Sequence, residues 1–234
     1  MVAPIRVVCA MIKVLMRFVR LFFGLFLYGV GIVLTMNAHI GYAPWEVFHA
    51  GLALVLDLPI GFITMLVGLI ICVVSFFVGE RLGIATICNM IFVGIFMDLL
   101  LAWEIIPIIN NLYLGILQLV VGLFVIALAS YFYISSGYGA GPRDSLMVAL
   151  ARKTKLPVGA CRGGMEVTVV IIGALLGGML GIGTLLSAFL IGFCIQIVFR
   201  LFHFDPTKIE HEDLGVSLKK LLAYLKRETS IQQS

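Results

Sequence analysis

The chain has 234 residues, of which 62% are hydrophobic and 12% charged, with a formal net charge of +4. Soluble domains run at roughly 45–50% apolar and about 25% charged, so both figures miss in the same direction. Too few charges remain to cover a surface in water, which excludes a soluble globular domain and leaves an integral membrane protein.

The first element is basic. Arg6, Lys13, Arg17 and Arg20 stand 7, 4 and 3 residues apart, on one face of a helix, as expected of an interfacial helix on an anionic leaflet. The apolar run that follows, Phe18–Ala38, is too long for a signal peptide. No small-x-small cleavage site follows it, so it is read as a retained first span. Five further apolar runs of spanning length are Ile60–Val78, Ile84–Trp103, Tyr113–Ile134, Val158–Leu180 and Ile182–Phe202. Two shorter stretches, from Pro44 to Asp57 and from Pro142 to Lys155, are read as helices that do not span. The tail over residues 208–228 carries a leucine stripe, Leu214, Leu218, Leu221, Leu222 and Leu225. Lys219, Lys220, Lys226 and Arg227 lie off the stripe, so it is read as a second amphipathic helix.

Charge placement sets the threading. With the N-terminus in the cytoplasm and six spans, all 16 Lys and Arg fall on the cytoplasmic side, and the outer segments have none. This is the positive-inside distribution. A path with eight spans would place Arg81 and Arg143 outside and is disfavoured. Both termini are therefore expected in the cytoplasm.

The sequence repeats itself. Shifted by 98 residues, positions 41–98 match 139–196 without a gap at 13 of 58 places, concentrated at Gly, Pro and Thr. Gly41, Pro44, Leu58-Pro59, Gly79, Gly83, Thr86 and Gly94 fall on Gly139, Pro142, Leu156-Pro157, Gly177, Gly181, Thr184 and Gly192. Three spans per half is an odd number, so the halves, 18–103 and 113–202, are expected to run in opposite directions. The predicted fold is all-α: six transmembrane helices in two inverted three-helix repeats, each with a short helix after its first span, in one membrane domain.

The short helices begin alike. Pro44 and Pro142 suit a first helical turn, Glu46 and Asp144 face the positive end of the helix dipole, and Gly41, Gly139 and Gly141 permit a sharp entry. Two readings stand: capped helices that seal a bundle, or helix ends flanking a polar cavity. Gly173, Gly177 and Gly181, with Ser75, Gly79 and Gly83 in the matching places, are expected to pack helices closely. Charge inside a membrane calls for a functional hypothesis. Arg162 and Glu166 share a face of the fifth span, whereas their counterparts Thr64 and Gly68 are uncharged. Arg143, Arg162 and Glu166 are expected to form the charged part of a solute site, with Asp144, Glu46 and Asp98 secondary. The other reading is a structural ion pair joined to Arg143 and Asp144. Trp45 and Trp103 are read as aromatic anchors of the outer boundary; His49 either reaches Glu46 or the outer mouth, or is an interfacial residue of the membrane edge.

The five cysteines have no metal or disulfide spacing, and no catalytic or nucleotide motif is present. No metal, cofactor, enzymatic activity or nucleic-acid partner is expected. The stretches Gly139-Ala-Gly-Pro-Arg-Asp144, Arg162-Gly-Gly-Met-Glu166 and Leu175-Leu-Gly-Gly-Met-Leu-Gly-Ile-Gly-Thr184 make the chain resemble bacterial membrane proteins of the YczE/YyaS/YitT type, closest to the YczE-like branch. The resemblance covers most of residues 18–200 and implies a bacterial cytoplasmic-membrane protein. It supplies no mechanism, and no counterpart of the soluble C-terminal domain of YitT-like members is expected, so no ligand-sensing role of such a domain is carried over. Two functions are weighed: a small-solute transporter or solute-binding protein, and a non-transporting accessory subunit that docks partners. A homodimer or a protein partner is considered: a stoichiometric partner favours the accessory reading, and a monomer or homodimer with a central wet cavity counts against it.

Overall fold

The computed structural model describes residues 2–80, 83–139 and 141–205, with the side chains of 2–11, 13 and 158 left aside. The expected tail helix lies outside the described residues. Eight helices follow in order: α1 Val2–Asn37, α2 Pro44–Leu56, α3 Ile60–Phe77, α4 Ile84–Ala102, α5 Leu112–Ser135, α6 Pro142–Thr154, α7 Val158–Leu175 and α8 Ile182–Leu201. There is no strand among the described residues. The basic segment and the first span are one continuous helix rather than two elements. Among the described residues, five helices (the apolar part of α1, α3, α4, α5 and α8) are long and apolar enough to cross a bilayer. α6 and α7 reach that standard only together, and they are bent by 120°.

The helices sort into two groups. α1 packs on α4 and α5, and α5 on α8, while α2, α3, α6 and α7 pack in a ring, α2 on α7 and α3, α6 on the same two. Each group has its own apolar core. Leu21, Leu25, Val33, Val93, Met97 and Tyr133 fill one side of the first group, and Leu119, Leu123, Cys194 and Val198 the other. Trp45, Ile63, Val67 and Ile71 fill the second group. Between the groups the extensive interface is α3 on α4, and α7 does not pack along α8 in the same way.

Lipid tails are as apolar as leucine, so helices in a bilayer are held by close packing and hydrogen bonds rather than by exclusion from water. Gly24 and Gly31 on α1 and Gly122 on α5 bring those two backbones together: a Cβ on Gly24 would lie 2.7 Å from the Tyr133 nitrogen. Gly173 does the same between α7 and α2, 2.5 Å from Phe48 Cα. The other glycines expected to pack helices have different roles. Gly177 and Gly79 lie past the ends of α7 and α3 at φ +93° and +90°, a conformation that ends a helix and that glycine adopts without strain. Gly181 and Gly83 precede α8 and α4, where their N–H groups donate to Thr184 and Thr86 Oγ1, both at 3.2 Å.

Backbone geometry recurs at the 98-residue interval. Asp57 and Lys155 end α2 and α6 in the left-handed region, at φ +53° and +59°. Pro59 and Pro157 then open α3 and α7 at nearly identical angles. The Gly183 N–H donates to the Ile40 carbonyl at 2.8 Å, and the Ala85 N–H to the Tyr138 carbonyl at 2.9 Å.

Candidate functional site

The first turns of α2 and α6 meet in the middle of the molecule, between the two groups. Proline at the first position costs neither helix a hydrogen bond. Ala43 and Gly141 enter from extended backbone. Trp45-Glu46 and Arg143-Asp144 are corresponding pairs, and they touch directly. Arg143 Nη2 donates to Glu46 Oε1 at 3.2 Å, and its guanidinium carbon stands 4.7 Å from the centroid of the Trp45 ring. Glu46 is buried, its side chain 6% exposed. Arginine suits this position because its planar head can stack on an indole while donating in its own plane.

Around this junction lies a cavity in two lobes. The larger, about 110 Å³, is lined by Tyr28, His49, Thr64, Asn89, Tyr133, Arg143, Asp144, Arg162 and Glu166 among others. The smaller, about 80 Å³, continues past Pro44, Glu46, Ser187 and Ile191. Tyr28, Trp45, Arg143, Arg162 and Glu166 border both lobes. Such a space holds several waters or one small solute.

The polar groups are held in place. Tyr133 Oη donates to Asp144 Oδ2 at 3.1 Å, and the Tyr28 ring packs edgewise on Tyr133 with centroids 6.2 Å apart. Asp144 Oδ2, Tyr133 Oη and Asn89 Oδ1 converge on Gly141, lying 3.6, 3.6 and 3.9 Å from where its Cβ would stand. A side chain there would fill the space they share. Arg162 Nε donates to Glu166 Oε1 at 3.0 Å, one turn along α7. His49 Nδ1 and Thr64 Oγ1 are 3.1 Å apart. Burial, reinforced by the Arg143 guanidinium, holds His49 well below the usual imidazole range, so its ring is neutral near pH 7. Ser187 Oγ is buried at the smaller lobe with no hydrogen-bond partner.

Of the six residues expected at a charged site, Arg143, Asp144, Arg162 and Glu166 line the larger lobe and Glu46 the smaller. Asp98 lines neither. Its Oδ1 accepts from the Gly61 N–H at 2.7 Å, capping the start of α3 from α4. The Arg162–Glu166 ion pair of the other reading is present and lines the same lobe as Arg143 and Asp144; within that cluster Arg143 hydrogen-bonds Glu46 and Asp144 accepts from Tyr133. Trp103 is exposed, but Trp45 is not a boundary anchor, since it is buried in the core of the second group beneath Arg143. His49 is 1% exposed and belongs to the cavity rather than to the membrane edge.

Tyr28, Tyr133, Thr64 and Asn89 also line the larger lobe, and charge and spacing in the sequence do not point to them. One signal was present: a tyrosine in mid-span needs a partner for its hydroxyl.

Residues 15–200 match the family described as "Family of unknown function (DUF6198)". The chain belongs to this family. It is 32% identical over 186 residues to the "Uncharacterized membrane protein YczE" of Bacillus subtilis, covering 79% of this chain and 86% of that one. A Haemophilus influenzae "Uncharacterized protein" is 30% identical over 192 residues, 80% of this chain and 87% of that one. No solved structure matches. The match to YczE, with the apolar helices, makes this a multi-span membrane protein and bears out the YczE-like resemblance.

Proposed function

We propose that this DUF6198 protein binds, and carries across the cytoplasmic membrane, a small solute held between two inverted three-span halves. α1, α3, α4, α5, α7 and α8 are the spans, and both termini are cytoplasmic. The observation that carries the reading is the cavity at the meeting of two helix starts, with Arg143, Arg162, Glu166, Asp144 and Glu46 around it. Charges inside a bilayer are costly unless they pair or serve a pathway. Supporting the inverted arrangement is the reciprocity of contacts: Gly41 lies against Gly181 as Gly139 lies against Gly83, at the 98-residue interval.

The lining favours one solute chemistry. Two guanidinium groups and two carboxylates border the larger lobe, so a solute with groups of both signs and no net charge pairs there without leaving excess charge in a low dielectric.

Two measurements test this. The purified protein is screened by thermal shift against amino acids, nucleosides, vitamins and organic anions. At least one compound is expected to raise Tm, and Glu166→Gln to abolish that rise while keeping the folded yield. A Glu166→Gln variant that responds like the wild type removes the residue from the site. A panel with no stabilising compound, together with a stoichiometric partner co-purifying in mild detergent, would favour the accessory-subunit reading. The second measurement is orientation. Single cysteines at the exposed positions Asp57 and Lys155 should react with an impermeant maleimide from opposite faces of the membrane, and reaction from one face sinks the inverted repeat.

A further inference from the structure

The two helix groups meet along one seam and part along the other. On the closed side α3 and α4 touch backbone to backbone: a Cβ on Gly61 would overlap the Gly94 carbonyl oxygen, and one on Gly94 would overlap that of Gly61. A Cβ on Gly68 would lie 2.9 Å from Met90 Cγ, and Asp98 holds the Gly61 N–H from across the seam at 2.7 Å. The corresponding residues of α7 and α8, 98 positions on, are Gly159, Gly192, Glu166, Ala188 and Gln196. There the seam is apart. Nothing lies within 4 Å of a Cβ built on Gly159, Gly163, Gly164 or Gly192. Glycine inside a helix is destabilising relative to alanine, and in this state those four glycines gain no close contact in return.

We propose that the α7–α8 seam closes as the α3–α4 seam does here, while the α3–α4 seam opens. Gly159 then meets Gly192, and the Gln196 side-chain carbonyl accepts from the Gly159 N–H in the place Asp98 holds on α4. This rests on the reading that solute enters between the groups, and it names the motion: the cavity is reached past α7 and α8 in one state and past α3 and α4 in the other. Each group keeps its own apolar core, so the groups move as units and the exchange takes place at the seams. Gln196 is thus a positioning residue for the second state, exposed in the present one.

Distances between spin-label pairs report both seams. Pairs at Phe62 with Ile95 and at Ala160 with Phe193 occupy corresponding exposed positions on the two sides. The full chain is measured in phosphatidylethanolamine/phosphatidylglycerol nanodiscs. The wild type is expected to show two Ala160–Phe193 distances, the shorter accompanied by a longer Phe62–Ile95 distance. A Cβ on Gly192 meets nothing within 4 Å in the present state, so Gly192→Val should keep the folded yield yet block closure and remove the short Ala160–Phe193 population. Gly94→Val, which cannot keep the α3–α4 seam, should drive the chain into that population. A single wild-type distance that Gly192→Val leaves alone overturns the proposal whether or not Gly94→Val folds, since a fixed gap is one filled by lipid or a second copy. Two distances that both survive Gly192→Val also overturn it. A stabilising solute with a fixed seam would keep the binding reading and sink this one. Seam exchange with no stabilising solute would do the reverse.

Discussion

Gly41→Ala is expected to leave almost no folded protein. Gly41 sits at φ +115°, and a Cβ there would fall 2.6 Å from the Gly181 nitrogen. Two costs add. The left-handed conformation strains any residue with a side chain by about 1–3 kcal/mol, and the clash is with backbone, which has no rotamer to change. Moving Gly181 aside would also pull on the hydrogen bond from the Gly183 N–H to Ile40, which fastens the loop before α2 to the start of α8. The sum, on the order of 4 kcal/mol, reaches the range in which single substitutions unfold marginal proteins. Gly163→Ala is the matched control. Its Cβ meets nothing within 4 Å, and alanine is the better helix former by up to about 1 kcal/mol. Size-exclusion profiles and melting in mild detergent should therefore separate the two glycines widely. A Gly41→Ala protein that melts with the wild type would mean the loop is not held as described.

Arg143→Met should cost about 3–5 kcal/mol, the usual penalty for stranding one charge of a buried pair. Glu46 is the residue stranded, since Arg143 is the partner its carboxylate oxygen takes. The loss belongs to the pair rather than to arginine alone, so adding Glu46→Gln should recover much of it, with a coupling of about 0.5–3 kcal/mol in a double-mutant cycle. The double variant separates structure from function. It is expected to melt near the wild type yet show no stabilisation by the solute that stabilises the wild type. A single variant as stable as the wild type would show that the pair does not hold α2 to α6.

The helix starts were the most legible part of the fold. Proline at 44, 59, 142 and 157 marks four of them, because a residue without an N–H fits where no hydrogen bond is due. The 98-residue interval was legible because glycine, proline and threonine answer to backbone geometry, which apolar side chains do not. Within the site, Arg143, Arg162 and Glu166 stood out by charge alone. Trp45 and His49 did not. Read singly, each resembles a residue of the headgroup layer; only the turn of α2 into the centre of the molecule buries them. Asp98 fails for the converse reason: its charge near the end of a span marked it as a candidate, but its use, holding the Gly61 N–H in the first turn of α3, depends on how closely Gly61 and Gly94 let the helices approach. Gly177 and Gly79 kept a four-residue spacing that looked helical, although α7 and α3 end just before them.

With α7 as a span in the proposed arrangement, its uneven apolarity bears on how the chain enters the bilayer during synthesis. Arg162 and Glu166 both lie in its first half, and a charge at the centre of a lone helix costs about 2.5–3.5 kcal/mol on insertion scales. Their mutual contact at 3.0 Å offsets part of that penalty. The rest must come from helices already made, and α2, which α7 packs against through Gly173, has left the ribosome long before α7 emerges. Insertion of α7 is therefore expected to be post-assembly rather than autonomous. Grafted into an unrelated host protein, this segment should fail to integrate where α3 and α8 succeed.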